Sequence, residues 1–456
     1  MRASPVIHPA VVRSVVTAAG VALALFSLSL VVPLLPQGGD TVPGRLGMVT
    51  LACSSTSDIS RIEWLRASAL AGRTPYHTLP SSDHRTLVSA FGPGPSYLGW
   101  ALFQAPDLGA LVTDEHLRQQ ARRAAAVAVA LAGVLLYLAL LSRTTWRWAV
   151  GGAMAAGCSF AGFATLGQGL WQQTAALPWL MAALASAAWT ERKPWLLAPA
   201  ALFATVAATL RPPDALLCVA VLVFALVMAR RGGASPLILV VAGIGSILGV
   251  LPMTAWNIWY FDTILPLGQM AANARFAQNV LVLSPEHLSV SLPGLLFSPA
   301  RGILWFAPVW LLGCYPRLRA DLPLAVGIMA ELLVAAAFHK WWGGLAYGPR
   351  LLGLSLWVAI FVAVSRLGDR RVLVLSTLAL TVLIGLFGAV RYDPRRWEIP
   401  NDPDQNPASV WQVLDSPLVA MFASSSPSSE FRDAPDGPFR YCPPGGEGAL
   451  VTPREP

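Results

Sequence analysis

Long apolar runs, separated by short polar breaks, set the pattern of this chain. They fall at about 11–33, 117–141, 147–168, 171–189, 195–210, 212–229, 235–260, 301–316, 321–338, 350–366 and 371–390. Runs of roughly 17 to 25 apolar residues match the hydrocarbon core of a bilayer. The pattern predicts an all-α polytopic membrane protein with about 11 transmembrane helices. The first run, Val11 to Leu35, is too long for the apolar core of a signal peptide. No small-residue cleavage site follows it in "VVPLLPQGGD", so it is expected to stay as the first span.

The breaks between runs differ in character. With the N-terminus on the cytoplasmic side, the inside loops hold Arg143/Arg147, Arg192/Lys193, Arg230/Arg231, Arg317/Arg319 and Arg366/Arg370/Arg371. Each carries at least two cations next to a span end, as the positive-inside rule requires. An odd number of spans then puts the C-terminus outside. The outside segments are 34–116, 261–300, the break at 339–349, and the tail 391–456. In the first of these, Ile59, Ile62, Leu65 and Leu70 recur at helical spacing, which predicts interfacial helices lying flat on the membrane. "FGPGPSYLG" interrupts any helix ahead of 97–112. The expected organisation is one transmembrane domain over 1–390, with 34–116 as a first periplasmic loop. A periplasmic C-terminal extension over 391–456 follows, rich in Pro, Asp and Ser and partly disordered beyond about 424.

Composition agrees with this reading. Of the 456 residues 55% are hydrophobic and 12% charged, and the mean hydropathy is +0.57. A soluble domain has about a quarter charged residues. The net charge of +8 lies in short clusters at span ends, so nothing points to nucleic acid. The five cysteines include no CxxC pair and no metal-ligand spacing. Cys158, Cys218 and Cys314 lie in apolar runs. Cys53 and Cys442 share the outer side, where a disulfide is open to them.

Several polar residues stand out against this background. Asp40, in "PQGGDTVPGRL", lies just past the first span. Burial there would raise a carboxylate toward a useful base, whereas Gly-Gly-Asp-Thr is equally ordinary turn chemistry. Asp58 and Glu63 are rivals for the same role. On the outer side the cations are Arg45, Arg211, Arg275, Arg301, Lys340 and Arg350. Arg211 and Arg301 sit at or inside span ends, where a charge needs a partner or a wet cavity. A phosphate would suit them, lipid headgroups would too, and Asp214 is a helix-face partner in reach of Arg211. "HKWWGGLAYGPRLL", residues 339–352, packs His339, Lys340, Trp341, Trp342, Tyr347 and Arg350 between two apolar runs. Its tryptophans fit either a sugar face or an interface belt. His77 and His84 flank "TLPSSD" as acid–base groups, metal ligands or plain polar residues.

An ordered set of strings carries a resemblance: "GGDTVPGRLGMVTL", "FGPGPSYL", "LRPPDALL", "LPGLLFSPARGILWFAPVWLLG" and "WWGGLAYGPRLL". From about residue 37 to 355 they resemble bacterial membrane glycosyltransferases of the GT-C superfamily, akin to protein O-mannosyltransferases and lipid A aminoarabinose transferases. The resemblance implies a multi-pass enzyme of the bacterial inner membrane. Such an enzyme would move a sugar from a polyprenyl-phosphate donor to an unknown lipid, glycan or protein acceptor on the periplasmic side, with inversion. Asp40 matches the catalytic aspartate of the first outer loop. Arg301, Lys340, Arg350 and Arg211 become candidates for the donor phosphate. Tyr347, Trp341, Trp342, Arg45 and His339 become candidates for sugar or acceptor. The first loop lacks the Asp-Asp or Asp-Glu pair of several branches, so a divalent metal has no support and no cofactor is expected. The competing reading is a transporter or lipid flippase, which would carry repeated, Gly/Pro-broken spans in two halves. No half-to-half match stands out.

Overall fold

The computed structural model describes residues 9–35, 39–61, 77–83, 85–103, 111–112, 114–264, 281–316, 318–394, 397, 401, 403, 405–420, 422 and 439–440. Ile62, Glu63, Leu65, Leu70, His84, Arg275, Cys442 and the side chain of Cys53 lie outside the described residues.

Among the described residues the chain folds as packed helices with two small antiparallel strand pairs. In order these are α1 (Pro9–Val31), α2 (Val42–Ser54), α3 (Gly94–Leu102), α4 (Asp114–Leu140), α5 (Trp146–Gly157), α6 (Gln172–Trp189), α7 (Leu197–Leu210) and α8 (Ala215–Arg231). Then come α9 (Pro236–Phe261), α10 (Pro285–Phe297), α11 (Ile303–Phe306), α12 (Val309–Gly313), α13 (Leu322–Ala337), α14 (Gly353–Val364) and α15 (Leu367–Arg391). The strands β1 (Thr78–Pro80) and β2 (Leu87–Ser89) pair in the first long loop, with Leu79 opposite Val88. Leu111–Val112 pairs with Phe439–Arg440.

Among the described residues six helical segments are long and apolar enough to cross a membrane: Val12–Val31, Asp114–Leu140, Pro212–Arg231, Pro236–Phe261, Arg319–Ala337 and Arg370–Arg391. A pair bent by 42°, Trp146–Gly157 with Phe160–Gln168, makes a seventh if counted as one span. The remaining expected runs do form helix, but in shorter, broken or less apolar pieces. Residues 195–210 and 350–366 give the short apolar helices Pro194–Leu210 and Arg350–Val364. Residues 301–316 split into α11 and α12 around Ala307, which takes a non-helical backbone ahead of Pro308. The ring of a proline crowds the residue before it out of the α region.

Burial sorts the helices into an inner and an outer set. Every residue of α14 is buried, as its sequence "GLSLWVAIFVAV" demands of a helix apolar on all faces. By contrast α9 leaves Leu237, Ile247 and Leu251 at least half exposed. Outward apolar faces of this size suit lipid rather than water. The arginine-rich breaks collect at one end of the bundle: Arg143 donates to Asp321 at 3.3 Å, and Arg366 to the Leu312 carbonyl at 3.2 Å. Asp40, Arg45 and Arg350 are at the other end.

The described part of the first loop contributes helix that packs inward, while the stretch expected to lie on the interface falls largely outside the described residues. Residues 41–51 are all buried, because α2 packs on α3 at very short range. A Cβ on Gly47 would come within 2.2 Å of the Ser96 hydroxyl, and one on Gly99 within 2.8 Å of Met48 and Leu170. Small residues let the two backbones close up in this way. The strand pair β1–β2 is anchored to the end of α9, where Ser82 N donates to the Tyr260 carbonyl at 2.8 Å.

Candidate functional site

The site grows from two short turns that meet at the ends of helices. The first is the 3-10 turn Gly39–Thr41, between α1 and the buried α2, which carries Asp40. The second is the 3-10 turn Arg350–Leu352, which leads into the buried α14. Arg350 Nη2 donates to Asp40 Oδ2 at 2.7 Å, across 310 residues of chain. The arginine side chain is 9% exposed and the aspartate 32%. The guanidinium also lies 4.2 Å from the centre of the Trp171 ring, so it is held between an aromatic face and a carboxylate. His77 Nε2 approaches the other oxygen, Asp40 Oδ1, at 3.5 Å. His77 itself has a left-handed backbone (φ 54°) just before β1.

Two opposed influences act on the Asp40 carboxyl. Burial raises its pKa, but the charge of Arg350, the facing His77 and the hydrogen bond from Arg350 outweigh burial and hold it below the ordinary carboxylate value. Asp40 is therefore ionised, and while this pairing lasts it is a weak base.

The loop that presents Arg350 is shaped by glycine. Gly343, Gly344 and Gly348 have φ of +86°, +68° and +71°, a region other residues enter only at a cost. Arg301, expected at the donor phosphate, faces protein carbonyls instead. It is fully buried, and Nη1 donates to Ala346 O at 2.5 Å while Nη2 donates to Gly344 O at 3.3 Å. Its guanidinium also sits between the rings of Trp342, at 5.9 Å, and Trp397, at 5.3 Å. This arginine braces the loop from beneath. Gly348→Ala should therefore lower stability by about 1–3 kcal/mol. The new methyl would meet Phe306 Cδ1 at 2.8 Å on top of the backbone strain. Thermal unfolding in detergent measures the loss, and an unchanged midpoint would mean the loop is not held as described.

The other expected residues separate into groups. Tyr347 is fully buried, donates to the Ile384 carbonyl at 3.1 Å and packs between Phe306 and Tyr392; it serves the core. Trp341 is buried against Gly294, where a Cβ would lie 2.3 Å from the indole. Trp342 is buried beside Arg301. His339 and Lys340 are exposed at the tip of the loop, with Lys340 Nζ 5.9 Å from the Trp342 ring. Arg45 is fully buried and paired with Asp114 at 2.9 Å, which also takes Arg118 at 3.0 Å. That link ties α2 to the start of α4. Arg211 is paired with Asp214 within its own turn, the helix-face partnership the spacing offered. Asp58 caps the turn at Ser60 and accepts from Leu87 N at 3.1 Å.

Of the ten candidates, then, the structure joins Asp40 and Arg350 directly and stations Arg301 under their loop. Trp171 and Trp397 carry no local signal in the sequence; only the fold sets them on the two arginines. Among the described residues no three His, Cys, Asp or Glu side chains come together as a metal site.

No protein-family model matches the chain, and no curated protein matches it. Among solved structures the chain is similar to ArnT from Cupriavidus metallidurans bound to undecaprenyl phosphate, at 14% identity and a TM-score of 0.42. The match covers 82% of this chain and 76% of that one.

Proposed function

We propose that the chain is a membrane glycosyltransferase that moves a sugar from a polyprenyl-phosphate donor to an envelope acceptor on the periplasmic side. The observation that carries this reading is the Asp40–Arg350 pair. It brings a carboxylate and a guanidinium together at the end of the bundle away from the arginine-rich breaks, as a base and a phosphate-binding cation would require. In the reaction, Asp40 takes the proton of the acceptor hydroxyl as its oxygen attacks the anomeric carbon. The bond from that carbon to the phosphate oxygen breaks, and its electron pair leaves with polyprenyl phosphate. One base and one displacement give inversion.

The resting ion pair gives this reading a control step. A donor phosphate competes with Asp40 for Arg350, since a guanidinium fork suits phosphoryl oxygens as well as carboxylate. Once Arg350 turns to the phosphate, the strongest influence holding the Asp40 pKa down is gone while burial still raises it. The base strengthens when the donor is present and stays quenched when it is absent. Arg350 then faces the charge that builds on the leaving phosphate, the kind of contact that contributes most in a dry site. Arg301 acts through the loop it braces, and His77 orients the carboxylate from its second oxygen.

Purified protein incubated with a panel of polyprenyl-phosphate sugars and envelope acceptors should release free polyprenyl phosphate in step with sugar transfer. Movement of intact donor across a vesicle membrane without cleavage would instead identify a flippase.

A further inference from the structure

The far end of the bundle carries a cavity that the proposed reaction does not use. Helix α4 runs 27 residues from Asp114, the partner of Arg45, to Leu140. At 1.5 Å per residue the two ends are about 40 Å apart. Just beyond Leu140 an open cavity of about 680 Å³ is lined by Ser142, Arg143, Thr144, Trp148, Arg192 and Arg371 among others. Three arginines from three separate parts of the chain thus converge with hydroxyl groups on one concavity.

Two of these three arginines leave their charge available to a ligand. Arg143 gives one nitrogen to Asp321 at 3.3 Å and lies 5.5 Å from the Phe224 ring. Arg192 and Arg371 lie over Trp189 and Trp148, each at 4.9 Å. Among the described residues neither of these two is paired with a carboxylate. Indole faces hold the guanidinium planes in place without neutralising them, so the cavity is cationic and built to take an anion.

The surface next to it identifies the anion. Arg371 opens the apolar stretch of α15, and the residues after it face outward: Val372 is 78% exposed and Leu383 64%, with Leu373 and Leu380 between them. Trp146 beside the cavity is also exposed, with Arg147 over its ring at 5.5 Å. A phosphate group in the cavity would have its tails against this apolar strip. We propose that the cavity binds the phosphate headgroup of an anionic phospholipid, with the acyl chains along α15. Basic pockets between helices at a membrane face suit that chemistry.

The test uses the full chain in neutral detergent and native mass spectrometry, with phosphatidylglycerol or phosphatidylcholine of the same acyl chains added. Phosphatidylglycerol should be retained in preference to phosphatidylcholine, and excess inorganic phosphate should not displace it. Arg192→Gln and Arg371→Gln should each weaken retention about five-fold, while Arg371→Lys keeps most of it. Both positions are exposed, so either variant serves if the other fails to fold. Equal retention of the two lipids, or unchanged retention in both Gln variants, would overturn the proposal. Displacement by inorganic phosphate would overturn the lipid assignment in favour of a small-anion site. Neither arginine touches the Asp40 site, so this result is independent of the transferase reading.

Discussion

Asp40→Asn is expected to lower sugar transfer by about 10²- to 10⁴-fold, the usual contribution of a positioned base. The substitution keeps the size and one accepting oxygen, so Arg350 retains a partner and the turn Gly39–Thr41 retains its shape. What disappears is the group that accepts the proton. Release of polyprenyl phosphate from a polyprenyl-phosphate sugar, measured at saturating acceptor, reads the loss; turnover at the native rate would remove Asp40 from the mechanism. The variant should also change the acid side of the stability profile. Because the folded carboxyl lies below its unfolded value of 3.8, its contribution is complete above that value. It is lost as pH falls through the folded pKa. Asp40→Asn should flatten that acid limb and lower neutral stability by the same amount, a small one because the carboxylate is a third exposed and partly screened.

Arg350→Ala should cost about 10²- to 10³-fold in kcat/KM for the donor, the scale for deleting one donor to a developing oxyanion. The apparent affinity for acceptor should change far less. The pH profiles carry a sharper signature. In the wild-type protein kcat/KM reports the free enzyme, in which Arg350 holds Asp40 low, while kcat reports the donor complex. The acid limb of kcat should therefore lie at higher pH than that of kcat/KM. Removing Arg350 lifts that restraint only in the free enzyme, where it acts, so the kcat/KM limb should rise to meet that of kcat. Arg350→Lys should recover charge but not the fork, giving an intermediate rate. If the limbs coincide in the wild type, the ion pair does not gate the base.

The spacing of apolar runs made the membrane character and most helix positions legible, since length and hydropathy act locally. Among the described residues six of these runs, or seven with the bent pair, form helices long and apolar enough to cross a membrane. The run 301–316, broken at Ala307–Pro308, and the shorter stretch Leu197–Leu210 read like their longer neighbours in hydropathy but differ in backbone geometry or length. The bend at 157–168 was equally hidden. It combines a local cap, the Ser159 hydroxyl accepting from Gly162 N, with distant contacts such as Gly385, where a Cβ would meet the Cys158 carbonyl at 2.3 Å.

The functional residues divide along the same line. Residue type and position beside an apolar run marked Asp40, Arg301 and Arg350, because a charge at a membrane boundary is costly unless something answers it. Which of them answer one another is a different kind of fact. Arg301 and Arg350 look alike in sequence, each an arginine near a proline and a glycine, yet one ends in backbone carbonyls and the other on a carboxylate. Arg45 and Arg211 found acidic partners that take them away from the site. Sequence alone determined that this chain is built of apolar helices with most charges kept near their ends, since desolvation penalises a charge inside them unless a partner answers it. Only the tertiary structure decided that Asp40 meets Arg350. Bringing together residues 310 positions apart depends on how α1, α2 and α14 end beside one another, and no local preference encodes that.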